Sequence, residues 1–134
     1  MERVAISASL LAELLPGDSE EWEPVQGGES GAMVARHGGR RCYAKLVSSD
    51  GVAELVAERN RNVWLNQTDI PSARVLDWRE ADSGAALLTR AVPGVPASEL
   101  DAPALRRAWP SVVAAVRALH DVPTAGCPFD RSLA

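Results

Sequence analysis

Cys42-Tyr43-Ala44-Lys45-Leu46-Val47 has the pattern of a short apolar strand with a single lysine near its middle. A charged amine within an apolar run is costly to bury unless an anion lies beside it. Two anions fit this position. One is a nucleotide phosphate held under the glycine-rich turn Gln26-Gly27-Gly28-Glu29-Ser30-Gly31, and the other is a carboxylate on the helix predicted over residues 52–66. The fold is therefore expected to form around Lys45.

Two carboxylates of the predicted helix are placed to meet this lysine. Glu54 and Glu58 lie one turn apart on the same helix face, so either of them could reach the amine of Lys45. A charged helix face is usually just solvated, but the isolated lysine in the preceding strand favours an ion pair with one of the two.

The glycine-rich turn allows two interpretations. Glycine permits positive φ and lets backbone N–H groups approach phosphate oxygens, but a single such turn also occurs in ordinary hairpins. Tyr43 and Lys45 are two residues apart and so share one strand face, as an adenine ring stacked beside its own phosphates would require. The alternative is a half-buried tyrosine and a lysine whose amine reaches water. Together the turn, the lysine strand and the acidic helix form the pattern of a kinase ATP-binding lobe.

Composition excludes several classes of function. The net charge of −4 makes nucleic acid a poor candidate for a partner. The two cysteines form neither a metal-ligand spacing nor a disulfide framework. The sequence shows no secretory signal and no apolar run of the roughly 20 residues that span a membrane, so a soluble cytoplasmic protein is expected. His37 is predicted to be a solvated residue of a polar turn and not a metal ligand.

The remaining pattern predicts a strand-rich part followed by a helical part. A proline-rich connector at 90–96 separates them, and the polar stretch 79–84 is expected to link the last two strands. In the helical part, Pro110 is expected in a helix first turn. Strands are predicted at 22–26, 32–36, 42–47, 74–78 and 85–89, and helical segments at 98–100 and 105–120. The apolar stripe of the last segment, expected to be buried, comprises Trp109, Val112, Val113, Val116 and Leu119.

The ordered set of segments resembles the amino-terminal part of an aminoglycoside phosphotransferase, most closely the streptomycin 3''-phosphotransferase type. The resemblance runs from about Trp22 over nearly the whole remaining chain. The segments that carry it are Val25 to Gly31, Tyr43-Ala44-Lys45, Glu58-Arg59, Val63-Trp64-Leu65, Pro71 to Trp78, Ala91 to Pro96, Ala108 to Ser111, Leu119-His120 and Cys127-Pro128-Phe129.

This resemblance implies an α+β fold: a protein-kinase-like lobe with a five-stranded antiparallel sheet and one helix at 1–92, then a hinge and the first helices of a second lobe at 93–134. It implies that Lys45 contacts the α- and β-phosphates of ATP, that Glu58 pairs with Lys45, and that Ser30 lies in the loop over the phosphates. It further implies that Tyr43 stacks on adenine and that the backbone from Arg90 to Val92 hydrogen-bonds the adenine edge.

The implied activity is transfer of the ATP γ-phosphate, with Mg²⁺, to a hydroxyl of an aminoglycoside, with streptomycin the expected acceptor. Members of the family carry a His-Gly-Asp segment with the catalytic aspartate and an Ile-Asp-Leu-Gly-like segment that holds Mg²⁺. Neither occurs in these 134 residues, where His120 is followed by Asp121-Val122. No catalytic or metal-binding residue is therefore assigned, and the chain is expected to be a truncated form that is inactive alone. The alternatives are a non-catalytic nucleotide-binding module and a kinase of another small sugar or amino alcohol.

Overall fold

Five strands form one antiparallel sheet in the order β1-β2-β3-β5-β4. A computed structural model describes residues 12–17, 21–25 and 32–128 of the chain. The strands are β1 Trp22–Val25, β2 Met33–His37, β3 Cys42–Ser48, β4 Val75–Ala81 and β5 Gly84–Arg90, and the helices are α1 Val52–Asn66 and α2 Ala102–His120. The predicted α+β architecture is confirmed, and α1 has the predicted bounds. The glycine-rich turn, with Ser30, lies outside the described residues.

The lysine strand β3 is central, and its side chains alternate between two covered faces. Cys42, Ala44 and Leu46 enter one buried cluster, and Val47 enters the other. Leu14, Leu15 and Trp22 cover the first face, while α1 covers the second through Leu55, which packs against Ala85 and Leu87 of β5. Because successive side chains of a strand point to opposite faces, Lys45 lies on the face that carries α1.

Helix α1 is joined to the sheet at both of its ends. A 3₁₀ turn, Ser49–Gly51, leads directly from β3 into the helix. At the other end the Asn66 amide nitrogen donates to Ser72 Oγ and to the Ala73 carbonyl, and its Oδ1 accepts from the N–H of Val75. The Asn66 side chain thus holds the end of α1 beside the first residue of β4.

The β4–β5 hairpin is tighter than predicted. Residues 79–84 were expected to form a polar connector, but β4 continues to Ala81 and only Asp82 and Ser83 form the turn. The prediction was wrong because β4 is an edge strand, whose polar residues face solvent while their backbone pairs with β5. Gly84 lies opposite Ser48, and a Cβ added to it would overlap the Val47 carbonyl oxygen.

His37 is buried, and not solvated as predicted, with only 7% of its surface exposed. It is the last residue of β2, paired with both Trp22 and Cys42. Its Nδ1 accepts from the N–H of Arg40, so the proton lies on Nε2, which donates to the Glu21 carboxylate at 2.9 Å. The partner carboxylate lies sixteen residues earlier, which is why local sequence context indicated a solvated turn.

Helix α2 begins earlier than predicted. Asp101 caps it by accepting from the N–H of Ala104, and Pro103 occupies the first turn. Pro110 therefore lies inside the helix and not in its first turn, where it leaves the Arg106 carbonyl without its usual helical donor. Arg106 is exposed, so water can satisfy that carbonyl.

The apolar stripe of α2 is not buried as expected. Trp109 is 56% exposed and Val116 48% exposed, because no described element packs extensively against this helix. The division of the chain at residues 92 and 93 stays a prediction.

We expect Gly84→Ala to lower the free energy of unfolding by about 1–3 kcal/mol, because the new methyl group would overlap the Val47 carbonyl oxygen. Urea denaturation followed by far-UV circular dichroism measures this. Gly38→Ala is the matched control, since nothing lies within 4 Å of a Cβ there. Equal midpoints for the two variants would contradict the role assigned to Gly84.

Candidate functional site

Lys45 and Glu58 form the predicted ion pair. The Lys45 Nζ lies 2.9 Å from Glu58 Oε2, and the two side chains are 29% and 34% exposed. The amine thus pairs with the second of the two candidate carboxylates, as the resemblance implied. Partly exposed pairs of this kind contribute little to stability, about 0–1 kcal/mol.

The two partners are held by different parts of the fold. Lys45 is fixed in the centre of the sheet, opposite Val34 of β2 and Leu87 of β5. Glu58 is carried by α1, three residues after Leu55, which is 2% exposed and packs in the core. The pair therefore joins the sheet to the helix, and its geometry depends on how α1 is docked.

A cavity of about 600 Å³ opens beside this pair, within the size range of small-molecule sites. Its wall carries two cationic side chains, Lys45 and Arg61, and three carboxylates, Asp50, Glu54 and Glu58. The remaining lining residues are Ala32, Val47, Ser48, Gly51 and Leu55. Ala32 directly precedes β2 and directly follows the glycine-rich stretch in the sequence, so the cavity reaches the start of β2.

Tyr43 shares a strand face with Lys45, as predicted. The register of β3 against β2 and β5 is continuous from Cys42 to Leu46, so residues two apart point the same way. Tyr43 is not among the residues that line the cavity beside Lys45. That Tyr43 and the backbone of Arg90 to Val92 line one cleft stays a prediction.

Two backbone donors at the end of β5 are already used in hydrogen bonds to residues that directly precede β4 and β3. The N–H of Arg90 donates to the Arg74 carbonyl at 2.9 Å, and the N–H of Ala91 donates to the Arg41 carbonyl at 2.8 Å. Arg41 adopts a left-handed conformation with φ of 52°, which is uncommon for a residue other than glycine. This turn residue thereby ties the start of the connector to the lysine strand.

Sequence reasoning missed two arginines of α1 near the site. Arg61 lines the cavity, and the spacing of Glu54, Glu58 and Arg61 at i, i+4 and i+7 could have shown that they share a helix face. Arg59 lies over the ring of Trp78, with its guanidinium carbon 4.6 Å from the ring centre. No short-range sequence signal links Arg59 to Trp78, because they belong to α1 and β4.

Among the described residues, no group of three or more His, Cys, Asp or Glu side chains could hold a metal ion. In that part of the chain no helix has the length and apolarity needed to cross a bilayer.

Residues 21–134 match the phosphotransferase enzyme family APH. The chain belongs to this family. Streptomycin 3''-kinase of Streptomyces griseus is 51% identical over 117 residues, which are 87% of this chain and 43% of that protein. The APH phosphotransferase chain described here therefore spans less than half the length of that relative.

Solved structures of APH enzymes have the same fold. The aminoglycoside phosphotransferase APH(3'')-Id from Streptomyces rimosus matches with a TM-score of 0.85 and 47% identity, over 96% of this chain and 48% of that one. The same enzyme in complex with ADP and streptomycin matches with a TM-score of 0.78 and 47% identity, over 92% of this chain and 43% of that one.

Burial raises the pKa of the Cys42 thiol above its ordinary value, and Arg40 only partly opposes this shift. We expect Cys42 of the folded protein to react with a disulfide reagent near pH 8 only as fast as the chain unfolds, because the thiolate is the reactive species. A Cys127→Ser variant isolates this thiol for the measurement. Fast reaction under native conditions would contradict the prediction.

The same shift predicts a pH dependence of stability. The folded state keeps the Cys42 proton at pH values where the unfolded thiol has lost it, so stability should fall as the pH rises above the ordinary thiol pKa. Below that pKa the thiol should contribute no pH dependence. Urea unfolding of the parent and of Cys42→Ala at pH values of about 7 to 10 separates this contribution, since the variant should lose less stability.

Proposed function

We propose that this chain provides the nucleotide-binding part of an ATP-dependent aminoglycoside phosphotransferase. The observation that carries the proposal is the Lys45–Glu58 ion pair on the wall of a cavity that Ala32, the residue after the glycine-rich stretch of the sequence, also lines. Lys45 contacts the α- and β-phosphates, and Ser30 lies in the loop above them.

The ion pair suits a phosphate contact because a lysine ammonium has three donors. Glu58 occupies one donor and fixes the direction of the amine, which leaves the others for phosphate oxygens. Binding phosphate with a preoriented amine costs less side-chain entropy than ordering a free lysine would.

The hydrogen bonds at the start of the connector limit which backbone N–H groups remain available to bind adenine. Arg90 and Ala91 already donate their N–H groups to the sheet, and Pro93 has none. Of the first four residues from Arg90 onward, Val92 therefore has the N–H that remains for adenine. We propose that Val92 donates to the adenine edge, that a carbonyl within 90–92 accepts from it, and that Tyr43 stacks on its face.

The acceptor is an aminoglycoside hydroxyl, with streptomycin as the first candidate. Support comes from the similarity to streptomycin 3''-kinase and to the enzyme solved with ADP and streptomycin. When bound, Mg²⁺ would neutralise charge on the transferring phosphate. The described residues contain no ligand cluster that fits it, so the expectation of Mg²⁺ rests on the family, and no step is assigned to it.

We also propose the division into lobes at 1–92 and 93–134 and a cytoplasmic location.

A second candidate is a non-catalytic nucleotide-binding module. The 134 residues contain no His-Gly-Asp segment, so by themselves they would act only as such a module. Holding a triphosphate equally well in the ground state and in the transition state does not accelerate phosphoryl transfer. The two candidates share the nucleotide site and differ in turnover.

Glu58→Gln should weaken ATP binding about tenfold, because the neutral amide no longer orients the Lys45 amine. Isothermal titration of the 134-residue chain with ATP measures this. Glu54→Gln is the matched control, since Glu54 lines the same cavity but makes no ion pair among the described residues. An equal loss in both variants would show a general charge effect and contradict the specific pair.

Val92→Pro should weaken ATP binding about three- to tenfold, because it removes the proposed donor to adenine. Val92→Ala keeps the N–H and should bind ATP as the parent does. Inorganic triphosphate, which lacks adenine, should bind both variants equally. If Val92→Pro binds ATP normally, adenine is not held by this N–H group.

The 134-residue chain should not consume ATP in the presence of streptomycin and Mg²⁺. Neither of the family's aspartate segments occurs in the 134 residues, and Asp101, one of the carboxylates that follow the connector, caps the start of α2 with its side chain. A coupled ADP-release assay with a Lys45→Ala control tests this. Streptomycin-dependent turnover that the control abolishes would show that a catalytic carboxylate lies within these residues.

A further inference from the structure

Helix α1 is fastened to the edge strand of the sheet by a contact outside the cavity. The Arg59 guanidinium carbon lies 4.6 Å from the centre of the Trp78 ring, within the range of a cation–π interaction. Both side chains are half-buried. Trp78 also packs against the cluster formed by Val47, Leu55, Ala85 and Leu87. Arg59 additionally donates weakly, at 3.3 and 3.4 Å, to the side chain of its neighbour Asn60.

The position of this contact along α1 relates it to the ion pair. Leu55 and Arg59 are one turn apart and lie on the same side of the helix. They dock α1 on the sheet at two successive turns, through the core and through Trp78. The Arg59–Trp78 contact restrains rotation of the helix about its axis at the turn that carries Glu58, between the two ends that are joined to the sheet. Glu58 precedes Arg59 directly, so the direction of its carboxylate follows that rotation.

We propose that Arg59 and Trp78 are positioning residues that hold Glu58 against Lys45 and so set the affinity of the site for phosphate. The inference rests on the proposed nucleotide-binding function. It predicts that loss of the Arg59–Trp78 contact acts on ATP binding only through Glu58. If the contact only packed the helix, its loss would change the free energy of unfolding, and any effect on ATP binding would not depend on Glu58.

The size of the effect is limited by the strength of the contact. Cation–π contacts at partly exposed sites correspond to an affinity change of about two- to fivefold. The Arg59–Trp78 contact cannot contribute more to phosphate binding than it contributes to holding α1 in place. Arg59→Met should therefore weaken ATP binding about two- to fivefold, and Arg59→Lys, which keeps a cation for the ring, should restore most of that loss.

The experiment uses the full 134-residue chain and two readouts. The first is the ¹⁵N ammonium resonance of Lys45 in the absence of nucleotide, which is sharp when the amine is held in an ion pair. The second is the ATP affinity measured by titration. Both are recorded for the parent, Arg59→Met, Arg59→Lys and Trp78→Phe, and in a Glu58→Gln background for the parent and Arg59→Met. Arg106→Met, on the exposed surface of α2, is the charge-matched control.

Broadening of the Lys45 resonance in Arg59→Met, with a two- to fivefold loss of ATP affinity that disappears in the Glu58→Gln background, would support the proposal. An unchanged resonance, or an equal loss of affinity in both backgrounds, would overturn it. Should Arg59→Met fail to fold, Arg59→Lys and Trp78→Phe test the same contact by grading the strength of the cation and of the ring. If the parent chain does not bind ATP, the proposed function fails, while the resonance still decides whether Arg59 positions Glu58.

Discussion

The placement of one partly buried positive charge in the middle of the sheet is the constraint that links the sheet to α1. Lys45 occupies the central strand with a neighbouring strand on each side, so its side chain leaves the sheet on the face that carries α1. On that face Glu58 meets the amine at 2.9 Å. The 3₁₀ turn before α1 and the Asn66 contacts after it hold the helix that carries Glu58.

Much of this arrangement could be predicted from sequence because it follows from local patterns. The bounds of α1, the isolation of Lys45 in an apolar strand and the two candidate glutamates depend on spacing within short stretches. Selection of Glu58 over Glu54 needed the family resemblance, since both carboxylates share a helix face. The same-face placement of Tyr43 and Lys45 followed from strand alternation alone.

The features that sequence did not predict depend on distant partners or on exposure. His37 is buried because β2 extends far enough to bring Glu21 and Trp22 to it. The polar residues of β4 resemble a loop because an edge strand has a solvated face. Pro110 was misplaced because the cap at Asp101 starts α2 a turn before its apolar stripe indicates. The contact between Arg59 and Trp78 had no sequence signal, since it requires the helix and the edge strand to be packed already.

The hydrogen bond from Ala91 to Arg41 also has a mechanical meaning. It makes the first residues of the connector a continuation of the sheet, so that the rigid body extends through Ala91. Any turning of α2 relative to the sheet must then be taken up between Val92 and Pro96. Two of those residues are prolines, whose φ is fixed by their rings, and Gly94 has a φ of 132° that only glycine adopts readily. Gly94 is therefore the position in this connector where the backbone direction can change at the least steric cost, with a stiffer proline on each side of it.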